Sequence, residues 1–199
     1  MRTFNPIKLI SVFSILLGLS FGNTLLAQTQ FQLAGKTELK VNGTSTLHDW
    51  EMTSAQAQGK AEMILEGTTL KNVKSASVTL KTQSIKSGTA KMDDIAYETL
   101  KANKFTDIVF TLTSFRALDN NRALAVGNLT IAGTTKPVTF NVETSTKSGV
   151  VQMTGETNIK FTEFGIKPPT ALLGTVKTGN DLKLSFKASF QPTASYTKN

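Results

Sequence analysis

The residues best placed to do chemistry stand together in Ser45-Thr46-Leu47-His48-Asp49-Trp50, which holds the only histidine and the only tryptophan of the 199 residues. Serine, histidine and aspartate are the parts of a nucleophilic triad, in which the imidazole takes the hydroxyl proton and the carboxylate fixes the tautomer. Along a strand, however, consecutive side chains point to opposite faces, so His48 and Asp49 meet only if the segment turns. His48 therefore reads first as a strand-end residue with a hydrogen-bonded ring, second as a group facing a ligand, and last as the base of a hydrolase. Trp50 reads as a core anchor or as the plug of a barrel end.

Other combinations are thinner. Asp93 and Asp94 sit where a helix begins and read as favourable charge at its N-terminus. No two carboxylates are spaced so as to predict a converging acid and base. With one histidine and no cysteine, a zinc site would have to be rich in carboxylates, an uncommon donor set, and disulfides are unavailable. No glycine-rich phosphate loop falls between a strand and a helix. We therefore expect no enzyme activity, no metal and no cofactor, which leaves binding.

The elements that carry these residues are strands. From Phe31 to Phe190 apolar and polar residues alternate with a period of two in about eight segments, the mark of antiparallel strands with one apolar face. Phe31, Leu33, Leu39 and Val41 make a first strand, closed by a turn at Asn42-Gly43. Residues 47–65 read as one long second strand whose apolar parity switches from Trp50 and Met52 to Ala55, Ala57, Gly59, Ala61, Met63 and Leu65, predicting a bulge near Thr53-Ser54. Further strands follow around Val78, Phe110, Leu129, Phe140, Ile159 and Phe186, with hairpin turns at Asp119-Asn120-Asn121, Ala132-Gly133 and Ser148-Gly149. Only Met92, Ile95, Ala96, Thr99 and Leu100 recur at helical spacing. The predicted fold is all-β: an eight-stranded antiparallel barrel in up-and-down order, with one short α-helix insertion covering an end or an edge. A Greek-key sandwich is the alternative.

Eight strands are close to the number at which a barrel interior changes from filled to hollow. The small same-face residues Ala55, Ala57, Gly59 and Ala61, opposite bulky ones such as Phe110, Phe140 and Phe161, mean either small-against-large packing or the floor of a cavity. For a cavity, the candidate wall is Trp50, Phe110, Leu112, Leu129, Phe140, Ile159, Phe161, Leu184 and Phe186, bulky residues of their strands' apolar parity. The Pro/Gly-punctuated connection over residues 164–179 either closes the barrel end or carries function. Within it, Lys167 and Lys177 are candidates for an anionic head group at the mouth.

Arg2 and Lys8 flank the start of the apolar run Leu9 to Leu19, and Leu25-Leu26-Ala27 follows a polar break. This predicts a secretory signal peptide over residues 1–27, cut near Ala27, and one domain over 28–199 in the periplasm or secreted. The formal charge is +8, or +6 without Arg2 and Lys8, which suits anionic partners. The lysines are scattered over polar strand positions, so a solvated exterior is the plainer reading, and nucleic acid is not expected. An eight-stranded outer-membrane barrel is the competing architecture. Two tyrosines and one tryptophan make sparse interfacial girdles, and the Ala/Gly-rich face makes a poor lipid-facing band.

Leu129-Thr130-Ile131-Ala132-Gly133-Thr134-Thr135-Lys136-Pro137-Val138, Phe164-Gly165-Ile166 and Thr178-Gly179-Asn180-Asp181-Leu182 occur in that order, with Lys104-Phe105-Thr106-Asp107-Ile108 before them. In these motifs the chain resembles the YceI-like family of exported lipid- or polyisoprenoid-binding proteins, over roughly residues 31–191. The resemblance implies a lipocalin-like barrel enclosing a long apolar ligand, whether polyisoprenoid, isoprenoid quinone or fatty-acyl lipid, for transport, storage or sequestration. It also implies homodimers in many members. Transient membrane contact is a further expectation for a carrier of such ligands.

Overall fold

The computed structural model describes residues 29–119 and 121–193. The expected leader, its cleavage near Ala27, Asn120 of the hairpin turn and the end of the polar tail lie outside the described residues. The described elements run in the order β1 (Thr29–Ser45), β2 (Trp50–Ser54), β3 (Ala57–Glu66), β4 (Thr69–Lys81), α1 (Ala90–Thr99), β5 (Asp107–Ala117), β6 (Arg122–Ile131), β7 (Thr134–Lys147), β8 (Val150–Lys160), β9 (Thr170–Ala171) and β10 (Val176–Pro192). Neighbours pair antiparallel in chain order, and β1 pairs β10 from Phe31↔Pro192 to Ser45↔Thr178, which closes the sheet. With β2 and β3 sharing one position and β9 a two-residue appendage, this is the expected eight-stranded barrel with one short helix.

The long second strand is broken rather than bulged. β2 pairs β1 from Leu39↔Ser54 to Gly43↔Trp50, while β3 pairs β1 over Thr29 to Gln32, so Ala55 and Gln56 stand outside both ladders. Two local features cause the break. The Ser54 hydroxyl accepts the Gln56 N–H at 3.2 Å, offering the backbone a turn in place of the ladder. Opposite it, Gly35 takes φ 69°, and the β1–β10 register slips between Ala34 and Glu38. The turn expected at Asn42-Gly43 is likewise absent, because β1 continues to Ser45.

The second half follows the predicted hairpins closely. Ala132 and Gly133 (φ 48° and 79°) and Ser148 and Gly149 (φ 50° and 77°) form two-residue turns with positive φ at both positions, whose twist matches that of the flanking strands. On β7 the buried residues are Val138, Phe140 and Val142, whereas Lys136, Thr139, Asn141 and Glu143 face solvent. On β8, Gln152, Thr154, Glu156 and Lys160 do the same. A barrel spanning a membrane calls for the reverse arrangement, with the apolar band outside.

Helix α1 is fastened by Asp93, and not by charge–dipole attraction alone. The buried carboxylate accepts the Ser87 N–H at 2.7 Å and the Ser87 hydroxyl at 2.8 Å, with Lys86 Nζ at 3.6 Å. Lys86 in turn exchanges two 2.8 Å backbone hydrogen bonds with Thr53, so the knot ties the helix to β2. Burial works against the charged form, but the Ser87 donors and the Lys86 ammonium outweigh it and hold Asp93 below the ordinary aspartate value of 3.8. A carboxylate depressed in this way stabilises the fold fully above its unfolded value, and that contribution is lost as pH falls through the folded one. Asp93→Asn should therefore cost about 1–3 kcal/mol at neutral pH. Urea unfolding should show the gap to wild type persisting through the usual aspartate range and closing as pH falls below it.

Candidate functional site

The barrel is filled at one end and hollow at the other. In the filled half Phe31, Met63 and Val151 are almost wholly buried, and Ala61, Val73, Ala123, Val142, Met153, Ala188 and Phe190 pack around them. The hollow half holds a cavity of about 510 Å³, within the usual range of small-molecule sites. Between the halves lies a floor of three aromatic rings. Phe140 meets Phe110 and Phe186 edge-on, each at 5.5 Å between centroids, an arrangement favoured by the ring quadrupoles.

The two outer rings of this floor lie against glycines on neighbouring strands. Phe110 covers Gly127 and Phe186 covers Gly155, so closely that a methyl group at either glycine would overlap the ring. Without side chains at these two points the rings lie back on the wall, and space remains above them. Trp50 is seated in the same way over Gly43 and donates its indole N–H to the Thr44 carbonyl at 3.0 Å.

Of the nine residues expected in a wall, Trp50, Phe110, Leu129, Phe140, Ile159, Phe161, Leu184 and Phe186 border the cavity. Leu112 does not. It shares the inward parity of Phe110 but lies one step below the floor, packed against the filled half. The small residues Ala55, Ala57, Gly59 and Ala61 also lie away from the cavity; Gly59 faces Val78 and Leu33, so this stretch is small-against-large packing and not a floor. Lys167 and Lys177 are exposed and do not border the cavity.

Sequence reasoning missed the helix as part of the wall. Met92, Ile95 and Ala96 of α1, with Leu100 at its C-terminal cap, border the cavity, and Met92, Ala96 and Leu100 also pack on Met52, Leu80 and Ile85. Their helical spacing identified an apolar face, but not what that face covers. The cavity opens where bordering residues become exposed: Leu47 and His48, Thr89 and Lys91, Thr170 and Leu172.

At this mouth the Ser45–Asp49 segment does turn, yet no triad forms. The Ser45 hydroxyl donates to the His48 carbonyl at 2.7 Å and accepts the N–H groups of Leu47 and His48. His48 Nδ1 lies 2.7 Å from the Asp49 backbone carbonyl, the side-chain carboxylate taking no part. As a donor to that carbonyl, Nδ1 leaves Nε2 as an acceptor. Of the two lysines bordering the cavity, Lys40 is committed to Glu38 at 2.9 Å and Glu51 at 3.3 Å; the hydrogen bond to Glu38 leads in raising its pKa above the ordinary lysine value. Lys91 has no carboxylate within 4 Å among the described residues. No group of three potential metal ligands occurs among the described residues. The arrangement offers a predominantly apolar lining, with His48 and Lys91 at its mouth and with the polar atoms of Lys40, Ser54 and Thr99 already bonded within the protein.

The model of the YceI-like domain family matches residues 24–190. This chain belongs to the YceI-like family. The chain is 35% identical over 109 residues to the UPF0312 protein of Pseudomonas putida, a match covering 50% of the chain and 56% of the relative, so that it spans little more than half the length of the curated relatives it matches. Among solved structures, Burkholderia cenocepacia BcnA is similar with a TM-score of 0.64 at 16% identity, over 77% of this chain and 95% of that one. A polyisoprenoid-binding domain from Saccharophagus degradans, implicated in plant cell wall breakdown, gives 0.60 at 10% identity, over 82% and 98%. The YCEI protein of Campylobacter jejuni gives 0.57 at 19% identity, over 72% and 85%. At these identities the likeness is one of fold, and the fold is the lipocalin-like barrel expected from the motifs.

The ring-on-glycine seats of the YceI-like barrel generate a direct test. In Gly155→Ala the new methyl group would stand 2.5 Å from Phe186 Cε1, driving the ring into the cavity. The substitution should cost about 1–3 kcal/mol by overpacking, and it should reduce uptake of a fluorescent fatty acid. Leu112→Ala, below the floor, should lower stability in the same urea titration while leaving uptake unchanged.

Proposed function

We propose that the protein is an exported carrier or store for a single long apolar ligand, a polyisoprenoid, isoprenoid quinone or fatty-acyl lipid, held in the hollow half of the barrel. The observation that carries this reading is an apolar cavity of about 510 Å³ with an aromatic floor at one end and an opening at the other. Each methylene moved from water into such a site contributes roughly 0.8 kcal/mol, so a chain of about ten can offset the cost of immobilising it with no polar contact along its length. Trp50, Phe110, Leu129, Phe140, Ile159, Phe161, Leu184 and Phe186 are the proposed wall, with the tail tip on Phe140. The head group sits at the mouth, where His48 and Lys91 border the cavity and replace Lys167 and Lys177 as its nearest polar partners.

Export rests on the leader over residues 1–27, which places the carrier in the periplasm or outside the cell. A binding role is preferred to hydrolysis because the His48 ring is held by a backbone carbonyl and not by a carboxylate. Homodimerisation is part of the proposal only as the family resemblance implies it.

Organic extraction of protein purified from its own host should yield a stoichiometric isoprenoid or fatty-acyl species by mass spectrometry. An empty protein that also refuses a fluorescent fatty acid would sink the carrier reading. Phe140→Glu should abolish uptake, since it sets an unpaired charge in the floor. Leu129→Met, which conserves volume, should fold and bind like wild type, with circular dichroism separating lost binding from lost fold.

A further inference from the structure

We propose that the mouth of the barrel is a docking surface for an anionic bilayer, with Leu47, Leu172 and Leu173 entering the lipid and Lys91, Lys167 and Lys177 meeting its head groups. This rests on the carrier reading, and names the surface from which the carrier would draw its ligand. Four large apolar side chains are conspicuously exposed: Leu47 at 67%, Leu118 at 41%, Leu172 at 70% and Leu173 at 107%. Leu118 follows β5 at the filled end. The other three lie on two loops at the hollow end that are tied together, with the Thr46 N–H donating to the Lys177 carbonyl at 2.9 Å and the Lys177 N–H to the Thr46 hydroxyl at 3.1 Å. Leu47 and Leu172 also border the cavity.

The backbone at this tip is strained. Leu172, Leu173 and Gly174 take φ 48°, 54° and 90° in succession, a left-handed run that costs little for glycine but disfavours leucine. Asparagine or glycine would suit the conformation better and would avoid exposing hydrocarbon to water. Leu173 contacts nothing that would explain its place through folding, so the apolar tip reads as selected for a surface outside the chain.

Charge chooses the occupant. Lys40, Lys71, Lys81, Lys86, Lys160 and Lys183 each have a carboxylate within 4 Å. Lys91 at the mouth, and Lys167 and Lys177 on either side of the leucine tip, are exposed and have none among the described residues; Lys36, Lys60, Lys74, Lys101, Lys104, Lys136, Lys147 and Lys187 also lack one, so what sets these three apart is their place beside the exposed leucines. Asp49 and Asp94 are exposed on the same two loop and helix segments and weaken this field without pairing these lysines. Leucines inserted at a rim of free lysines match the interfacial region of an anionic membrane. A second copy seated mouth to mouth would set the same lysines against each other. Docked on lipid, the opening faces the bilayer, and an apolar tail passes into the barrel without crossing water.

Sedimentation with vesicles tests this. The full protein should bind vesicles of phosphatidylcholine containing phosphatidylglycerol more strongly than phosphatidylcholine alone, and lose binding as salt rises. The pair Leu172→Ser, Leu173→Asn and the pair Lys167→Glu, Lys177→Glu should each weaken binding by at least about tenfold. The leucine pair should keep or raise its melting temperature, while Leu173→Asn alone, at a side chain that does not border the cavity, and the lysine pair should still take up a fluorescent fatty acid supplied in solution. Absent vesicle binding, or equal binding by wild type and both pairs, overturns docking. A concentration-dependent dimer lost in the leucine pair would assign the tip to a second copy and overturn it too. If wild type takes up the soluble probe but ignores vesicles, docking alone fails; if it refuses the probe as well, the carrier reading fails with it.

Discussion

The interaction on which the rest of the structure depends is the seating of aromatic rings on glycines across neighbouring strands. A barrel of eight strands has just enough interior for side chains to fill it, so a cavity exists only where bulk is moved aside. Phe110 on Gly127 and Phe186 on Gly155 do this, with Phe140 closing the gap between them edge-on. Below these rings the inward positions of β3, β4, β6 and β8 pack together as buried core. Above them the same alternation of residues encloses space. The division between core and cavity is thus made by three phenylalanines and two missing side chains.

The hollow half must then be held open without the packing that supports the filled half. Helix α1 supplies part of the missing support, since Met92, Ala96 and Leu100 form a small core of their own with Met52, Leu80 and Ile85. That core is small, which explains why the helix is also fixed by polar means. The Asp93–Ser87 bonds, the Lys86–Thr53 backbone pair and the Tyr97 hydroxyl, 2.9 Å from the carbonyls of Gln83 and Ile85, fasten it around its rim. Burying the Asp93 charge is tolerable because every group that it faces is a donor. Trp50, anchored to Thr44 and laid on Gly43, packs against the same small core and stiffens it from the strand side.

Period and turn chemistry made the barrel legible in the sequence, because in a closed antiparallel sheet parity alone decides what faces inward. Ala132-Gly133 and Ser148-Gly149 marked their hairpins, and the apolar parity of β6, β7, β8 and β10 marked their inner faces. Height along the barrel was not legible. Phe110 and Leu112 have the same parity and nearly the same bulk, yet one forms the floor and the other lies under it, because height depends on the stagger between strands distant in sequence. The break between β2 and β3 left only a faint trace, a serine at position 54 whose hydroxyl competes for the backbone. Leu172 and Leu173 carry no periodicity, and only the folded chain, through their exposure and left-handed backbone, shows that they stand out from it.

Selectivity in such a cavity follows from which of its polar groups are already occupied. The Ser54 hydroxyl lies 2.8 Å from that of Ser84 and accepts the Gln56 N–H, and the Thr99 hydroxyl donates to the Ile95 carbonyl at 2.7 Å. Lys40 is held by two carboxylates. A ligand with a hydroxyl part-way along its tail would find these groups engaged, and would lose a hydration that the wall does not replace. A plain or branched hydrocarbon loses nothing comparable. Under the proposed function, discrimination therefore acts against polarity along the tail and against bulk that the aromatic floor cannot admit. Tails too long for the cavity are not refused by this logic, since the end opposite the floor is open and their excess would extend through the mouth.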